Sequence, residues 1–157
     1  MAKIKVNKLE AAQRQIDAAI RWLFNNEDPV AVHSVAAAGC RILRDMAEKN
    51  NSQLLQMMDR CIRPEMRKQF FSEVINKLAN FLKHADLDPG ETIDGVDETI
   101  NDFTIFLACL IYNDLGHQWT PEMRNFVCWY SGIHPSHIRD DLPWSAELAD
   151  VSKYWRD

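Results

Sequence analysis

The sequence predicts an all-α protein, a single-domain bundle of about five or six helices. Three observations carry that prediction. Apolar residues return at three- and four-residue intervals through several long stretches, helix-starting pairs such as Asp28-Pro29 and Thr120-Pro121 precede two of them, and strand-like alternation is absent. At 157 residues with 46% hydrophobic content, the chain can bury one core without metals or disulfides. One domain is expected over residues 1–157, with a helical core to about residue 132 and a tail over residues 133–157.

The first helix is expected from about Lys8 to Asn25, because Leu9, Ile16, Ile20, Leu23 and Phe24 share a face with Ala12 and Ala19. "NNEDP" breaks it, and Asp28 as N-cap with Pro29 at the first helical position starts a second helix that runs to about Lys49. Its core stripe is Val32, Val35, Ala36, Gly39, Ile42, Leu43 and Met46. The small run Ala36 to Gly39 allows a neighbouring helix to approach closely. Gly39 costs the helix about 1 kcal/mol relative to alanine, so its presence points to a packing requirement.

After "KNNS" a short helical piece is expected over Gln53 to Cys61, and Pro64 opens a longer helix. That helix carries Met66, Phe70, Val74, Leu78 and Phe81 on one stripe and Phe71, Ile75 and Leu82 on a second, as a central bundle helix would. Ala85 to Val96 forms an acidic connection, followed by a helix from about Asp97 to Leu115 with Ile100, Phe103, Leu107, Leu110 and Ile111 inward. Its "FTIFLACLIY" portion is the most buried, and Gly116 stops it. Thr120 caps the next helix, whose inward face is Met123, Phe126, Val127 and Tyr130 and which Gly132 ends. A short helix near Ala146 to Tyr154 follows in the tail, where Trp144 and Trp155 are candidate partner anchors.

A formal charge of -5 provides no general attraction to phosphates, so no DNA partner is expected. A mild local excess at Arg60, Arg63, Arg67, Lys68, Lys77 and Lys83 leaves RNA as a possible partner, with a solvated face as the default. Cys40, Cys61, Cys109 and Cys128 show no CxxC pair and read as reduced, mostly buried thiols. The N-terminal segment lacks a signal-peptide core, and no stretch approaches the roughly 20 apolar residues of a membrane span. A cytoplasmic protein without a membrane partner is therefore expected.

"NFLKHADLDP" holds the first candidate site. His84 shares one helical strip with Asn80 and Lys77, and its position suits either a helix stop or a general acid or base. In the second role His84 would move the proton, Asn80 would orient a phosphate, and Lys77 or Lys83 would neutralise it. His33 continues on its helical face through Ala37, Cys40 and Arg44, so an interhelix histidine or a ligand pocket of His33, His84, Cys40 and Arg44 is expected. His33, His84, Asp86 and Asp88 form a weaker metal alternative. No Glu-x-x-His pair marks a di-iron bundle, and Glu91 occupies the sixth position of a would-be calcium loop, where glycine is required. No metal and no cofactor are expected. His117, His134 and His137 read as surface turns, and no nucleotide fingerprint or nucleophile elbow is present.

The segments "KLEAAQRQIDAAIRWLFNNEDPVAVHSVAAAGCRILRD" and "KLANFLKHADLDP" resemble a small uncharacterised family of bacterial all-helical proteins with DPVAxHxxAAAAxxILRD-like and NFFKHADxDP-like segments. That resemblance implies a fold but no activity. More distantly, His33 to Ala38 followed by the helix end Asn80-x-x-x-His84-Ala85 resembles the HEPN superfamily of helical, often dimeric, RNA-associated domains. The resemblance implies His84 as the active-site histidine, with Lys77, Leu78 and Ala79 at the positions that match the family's arginine.

Two function classes follow. The first is a small bacterial cytoplasmic binding or regulatory module, homodimeric through exposed apolar surface, that takes a small ligand at a polar pocket near His33 and His84. The second is a HEPN-like RNA-binding protein or metal-independent endoribonuclease, and a metal-binding helical protein is a further alternative.

Overall fold

The computed structural model describes residues 3–52, 76–84, 87, 89–94 and 99–134. Within them the chain forms five helices: α1 (Lys8–Phe24), α2 (Pro29–Lys49), α3 (Asn76–Lys83), α4 (Thr99–Asp114) and α5 (Pro121–Ile133). The architecture is an all-α bundle with no strand among the described residues. None of its helices is long and apolar enough to cross a membrane. The expected helix over Gln53 to Cys61, the first turns of the helix opened by Pro64, and the tail with Trp144 and Trp155 lie outside the described residues.

Local chemistry sets the boundaries. Asn7 caps α1 in a capping box: its side chain accepts from the Glu10 N–H at 2.9 Å, while Glu10 reaches back to the Asn7 N–H. Asp28 accepts from the N–H groups of Val30 and Ala31 and leads into Pro29, as expected. Thr120 caps α5 ahead of Pro121.

The paired asparagines after α1 and α2 act identically. Asn25 and Asn50 are C-caps, and Asn26 and Asn51 follow with φ of 54° and 51° in the left-handed region. The N–H of Asn26 bonds the Leu23 carbonyl and that of Glu27 bonds Trp22; Asn51 and Ser52 repeat the pattern on Glu48 and Ala47. Both are Schellman closures in which asparagine replaces the usual glycine, since its short side chain tolerates this conformation. Gly116, at φ 86°, closes α4 in its place.

α1 and α2 pack as a hairpin around Gly39. A methyl group there would stand 2.9 Å from Ile16 Cδ1 and 3.2 Å from the Ala12 carbonyl oxygen, so the expected close approach is present. α4 lies along α2 in the same direction, pinned at both ends. His33 meets Asn101 where both helices begin, and Ser52 donates to Asp114 where both finish. α1 runs opposite to α4, with the Tyr112 hydroxyl donating to Gln13 Oε1 at 3.1 Å. α5 closes the other side through Phe126, Val127 and Tyr130, and Tyr130 stacks on Phe106 with ring centroids 4.1 Å apart. α3 rests on α2 with Leu78 and Ala79 buried.

Three expectations need correction. Phe24 is 45% exposed rather than inward, although its ring touches Phe126 and Trp129. In α4, Asn101, Thr104, Ile105, Ala108 and Tyr112 are buried, whereas Ile100, Phe103 and Leu110 are only partly so. An apolar run on all sides gives periodicity no face to select. α5 continues past Gly132 to Ile133 and is capped at His134, because a single glycine in a last turn weakens a helix without ending it.

Candidate functional site

His33 sits in the second turn of α2 with 0% exposure, held by α4. Asn101 Nδ2 donates to the Pro29 carbonyl at 3.0 Å, and its Oδ1 lies 2.9 Å from His33 Nδ1. A carbonyl can only accept, so the Asn101 amide must turn its NH2 toward Pro29 and its oxygen toward the ring. His33 Nδ1 is therefore the donor. Asn101 is 2% exposed, so this chain of two bonds staples the start of α4 to the first turn of α2 in a dry setting. His33 is an interhelix histidine, bonded to α4 through Nδ1.

Beside that staple, the α1–α2 turn and the start of α4 enclose a cleft of ≈ 500 Å³. Leu23, Phe24, Asn26 and Glu27 line it from α1 and the turn, Pro29 and Val32 from α2, Thr99, Asn101 and Asp102 from α4, and Trp129 from α5. Asn101 thus bonds His33 and also borders the cleft. Asn26 owes its place on the rim to the left-handed turn, and Pro29 owes its place to the first position of α2.

The predicted site residues distribute differently. None of His33, Cys40, Arg44 and His84 lines this cleft. Cys40 is buried and its thiol is pushed up to about 12 by that burial, with Arg44 pulling slightly the other way, so it is inert as a nucleophile. Burial raises the Cys109 and Cys128 thiols too. Lys77, Asn80 and Lys83 are exposed on α3 and His84 is exposed directly after it, with the His84 N–H bonding the Asn80 carbonyl at 3.1 Å. Asp86 and Asp88 lie outside the described residues, and no group of three or more histidine, cysteine, aspartate or glutamate side chains among the described residues could hold a metal.

Asp17 and Asn101 are the polar side chains that sequence reasoning passed over. Asn101 sits within an apolar stripe, in register with Ile105, Ala108 and Tyr112, and that interruption is the signal that could have found it. Asp17 shares its face with Glu10, Gln13, Arg14 and Arg21 and carries no such signal. Asp17 is buried on α1 and accepts a 2.6 Å hydrogen bond from the Thr120 hydroxyl, which itself accepts from the Met123 N–H. Arg21 bridges to Glu122 at 3.1 Å on the adjoining surface.

Burial holds the Asp17 carboxyl above its ordinary value of 3.8; the Thr120 bond opposes that shift, Glu122 adds to it, and Gln13 and Arg21 oppose it. The folded chain therefore keeps this proton to a higher pH than the unfolded chain does. The site's contribution to stability is full below the ordinary carboxyl value and is lost as pH rises through the raised folded value. Asp17→Asn is expected to gain on the wild type in unfolding free energy as pH rises from the ordinary carboxyl value of 3.8 through the raised folded value, measured by urea titration from acid to neutral pH. A difference that stays flat would contradict the shift.

No family model matches the chain, and neither a curated protein nor a solved structure matches it.

Proposed function

We propose that the chain is a small binding or regulatory module, and that it takes a small-molecule ligand in the cleft between the α1–α2 turn, the start of α4 and Trp129. The observation that supports this most is the cleft itself. It is a concavity in the usual size range for small ligands, with apolar and aromatic walls and a few fixed polar groups. Those groups stand on helix ends locked by hydrogen bonds: Asn101 through Pro29 and His33, Asn26 through the Schellman closure. A site built on such rigid ends costs little to order when a ligand enters.

This placement moves the proposed pocket from the His33/His84 pair to the turn on the other side of Asn101, with His33 as its support. The ribonuclease alternative would instead use the exposed side chains Lys77, Asn80 and Lys83 of α3 with His84 just beyond it.

The test is retention from an unfractionated small-molecule cell extract, with bound molecules released by denaturation and identified by mass spectrometry. Wild type is expected to retain a small molecule, and Thr99→Trp, which places a large ring at the exposed mouth, is expected to retain at least about tenfold less while keeping the wild-type circular dichroism. Equal retention by the two proteins, or none by wild type, would contradict the proposal.

A further inference from the structure

We infer that this cleft receives a small organic cation, an alkylammonium or guanidinium head group, an inference that rests on the binding reading above. Charge is the first support. Glu27 and Asp102 line the cleft, and no lysine or arginine among the described residues does. The starts of α2 and α4 each bring about half a positive charge to this end of the bundle. The Asp28 carboxylate already takes up the first N–H groups of α2, accepting from Val30 and Ala31 at 2.9 and 3.0 Å. With Glu27 and Asp102 on its walls and no basic side chain among the described lining residues, the cleft favours a cation over an anion.

The aromatic walls are the second support. Phe24 and Trp129 meet edge to face, with centroids 5.3 Å apart and planes at 85°, an arrangement that leaves ring faces outside the contact. Aromatic faces are negative and attract a cation that has shed part of its water. Phe24, the last residue of α1, stays 45% exposed at the cleft. A weakly hydrated cation with carbon substituents uses both features, because its alkyl groups cover Leu23 and the rings while its charge faces the carboxylates. A small inorganic dication is a poorer fit, since it needs several converging oxygens at short distance.

The test uses the full chain labelled with nitrogen-15, at constant ionic strength, and follows the Trp129 indole and Asn26 signals. Four probes are titrated separately: tetramethylammonium, methylguanidinium, neutral tert-butanol and inorganic phosphate. At least one of the two cations is expected to give saturable shifts at these positions, and the other two probes none. Glu27→Gln, a change on the exposed turn, is expected to weaken the cation roughly fivefold, and Phe24→Leu, which keeps the apolar cover, roughly threefold.

Saturation by phosphate, or by tert-butanol as tightly as by the cations, would overturn the cation class and leave the binding reading intact. Cation binding unchanged in both variants would overturn the assignment of these walls. No response to any probe, while the wild type still retains an extract molecule that Thr99→Trp loses, would overturn the cation class alone. No response together with no retained molecule would overturn both.

Discussion

Asn101→Ala is expected to lower the unfolding free energy by about 3 kcal/mol, an effect large for one polar side chain. Asn101 donates to the Pro29 carbonyl and accepts from His33 Nδ1 in a setting where it is 2% and His33 0% exposed. Truncation removes both bonds, takes from the buried His33 N–H the acceptor that holds it, and opens a small cavity where α2 and α4 begin. Each stranded buried group costs about 1–3 kcal/mol, whereas a lost but re-solvated bond costs about 1. Asn101→Asp separates the two roles: it keeps an acceptor for His33 but cannot donate to Pro29. Urea unfolding of the two variants beside wild type measures the effect. A loss below about 1 kcal/mol for Asn101→Ala would show that the staple is open to water.

The second large effect is expected at Gly39. Gly39→Leu should destabilise the protein by about 3 kcal/mol or more, because even the first carbon of a side chain would press on Ile16 at 2.9 Å and on the Ala12 carbonyl at 3.2 Å. Ile16 Cδ1 ends a fully buried side chain with little room to turn, and the Ala12 oxygen is backbone that yields only if α1 moves. Gly39→Ala is the sharper comparison. It gains about 1 kcal/mol in helix propensity, and overpacking of about 1–3 kcal/mol opposes that gain, leaving a net loss near 1. An alanine variant as stable as wild type in thermal and urea unfolding would mean that the two helices stand further apart.

Much of this was visible in the residues. Asp28-Pro29 and Thr120-Pro121 mark two helix starts by a side-chain acceptor followed by a residue that has no N–H to satisfy, and both starts fall where that chemistry puts them. Gly39 announced its own close contact, because a helix carries that cost only where something approaches. The inward face of α4 was not legible, since a run such as "FTIFLACLIY" offers apolar groups in every direction. The partner of His33 was hidden for a different reason. Periodicity tells which side of a helix is covered, but the identity of the neighbour follows from how the helices are arranged, and Asn101 lies 68 residues away.

The cleft was hidden for the same reason. Its walls come from α1, the turn, α2, α4 and α5, and its aromatic and acidic residues share no spacing along the chain. Histidines drew attention in the sequence because they titrate near neutral pH. The structure gives His33 a supporting place behind Asn101 and leaves His84 on an exposed helix end.

The most direct measurement is a residue-by-residue map of backbone amide shifts in the full-length protein, recorded with a small-molecule cell extract and, in parallel, with single-stranded RNA. A binding module with its site at the α1–α2 turn predicts extract-dependent shifts at Phe24, Asn26, Glu27, Asn101 and Trp129, with Lys77, Asn80, Lys83 and His84 unmoved. Shifts produced by RNA at those four residues, with the cleft silent in the extract, would contradict it.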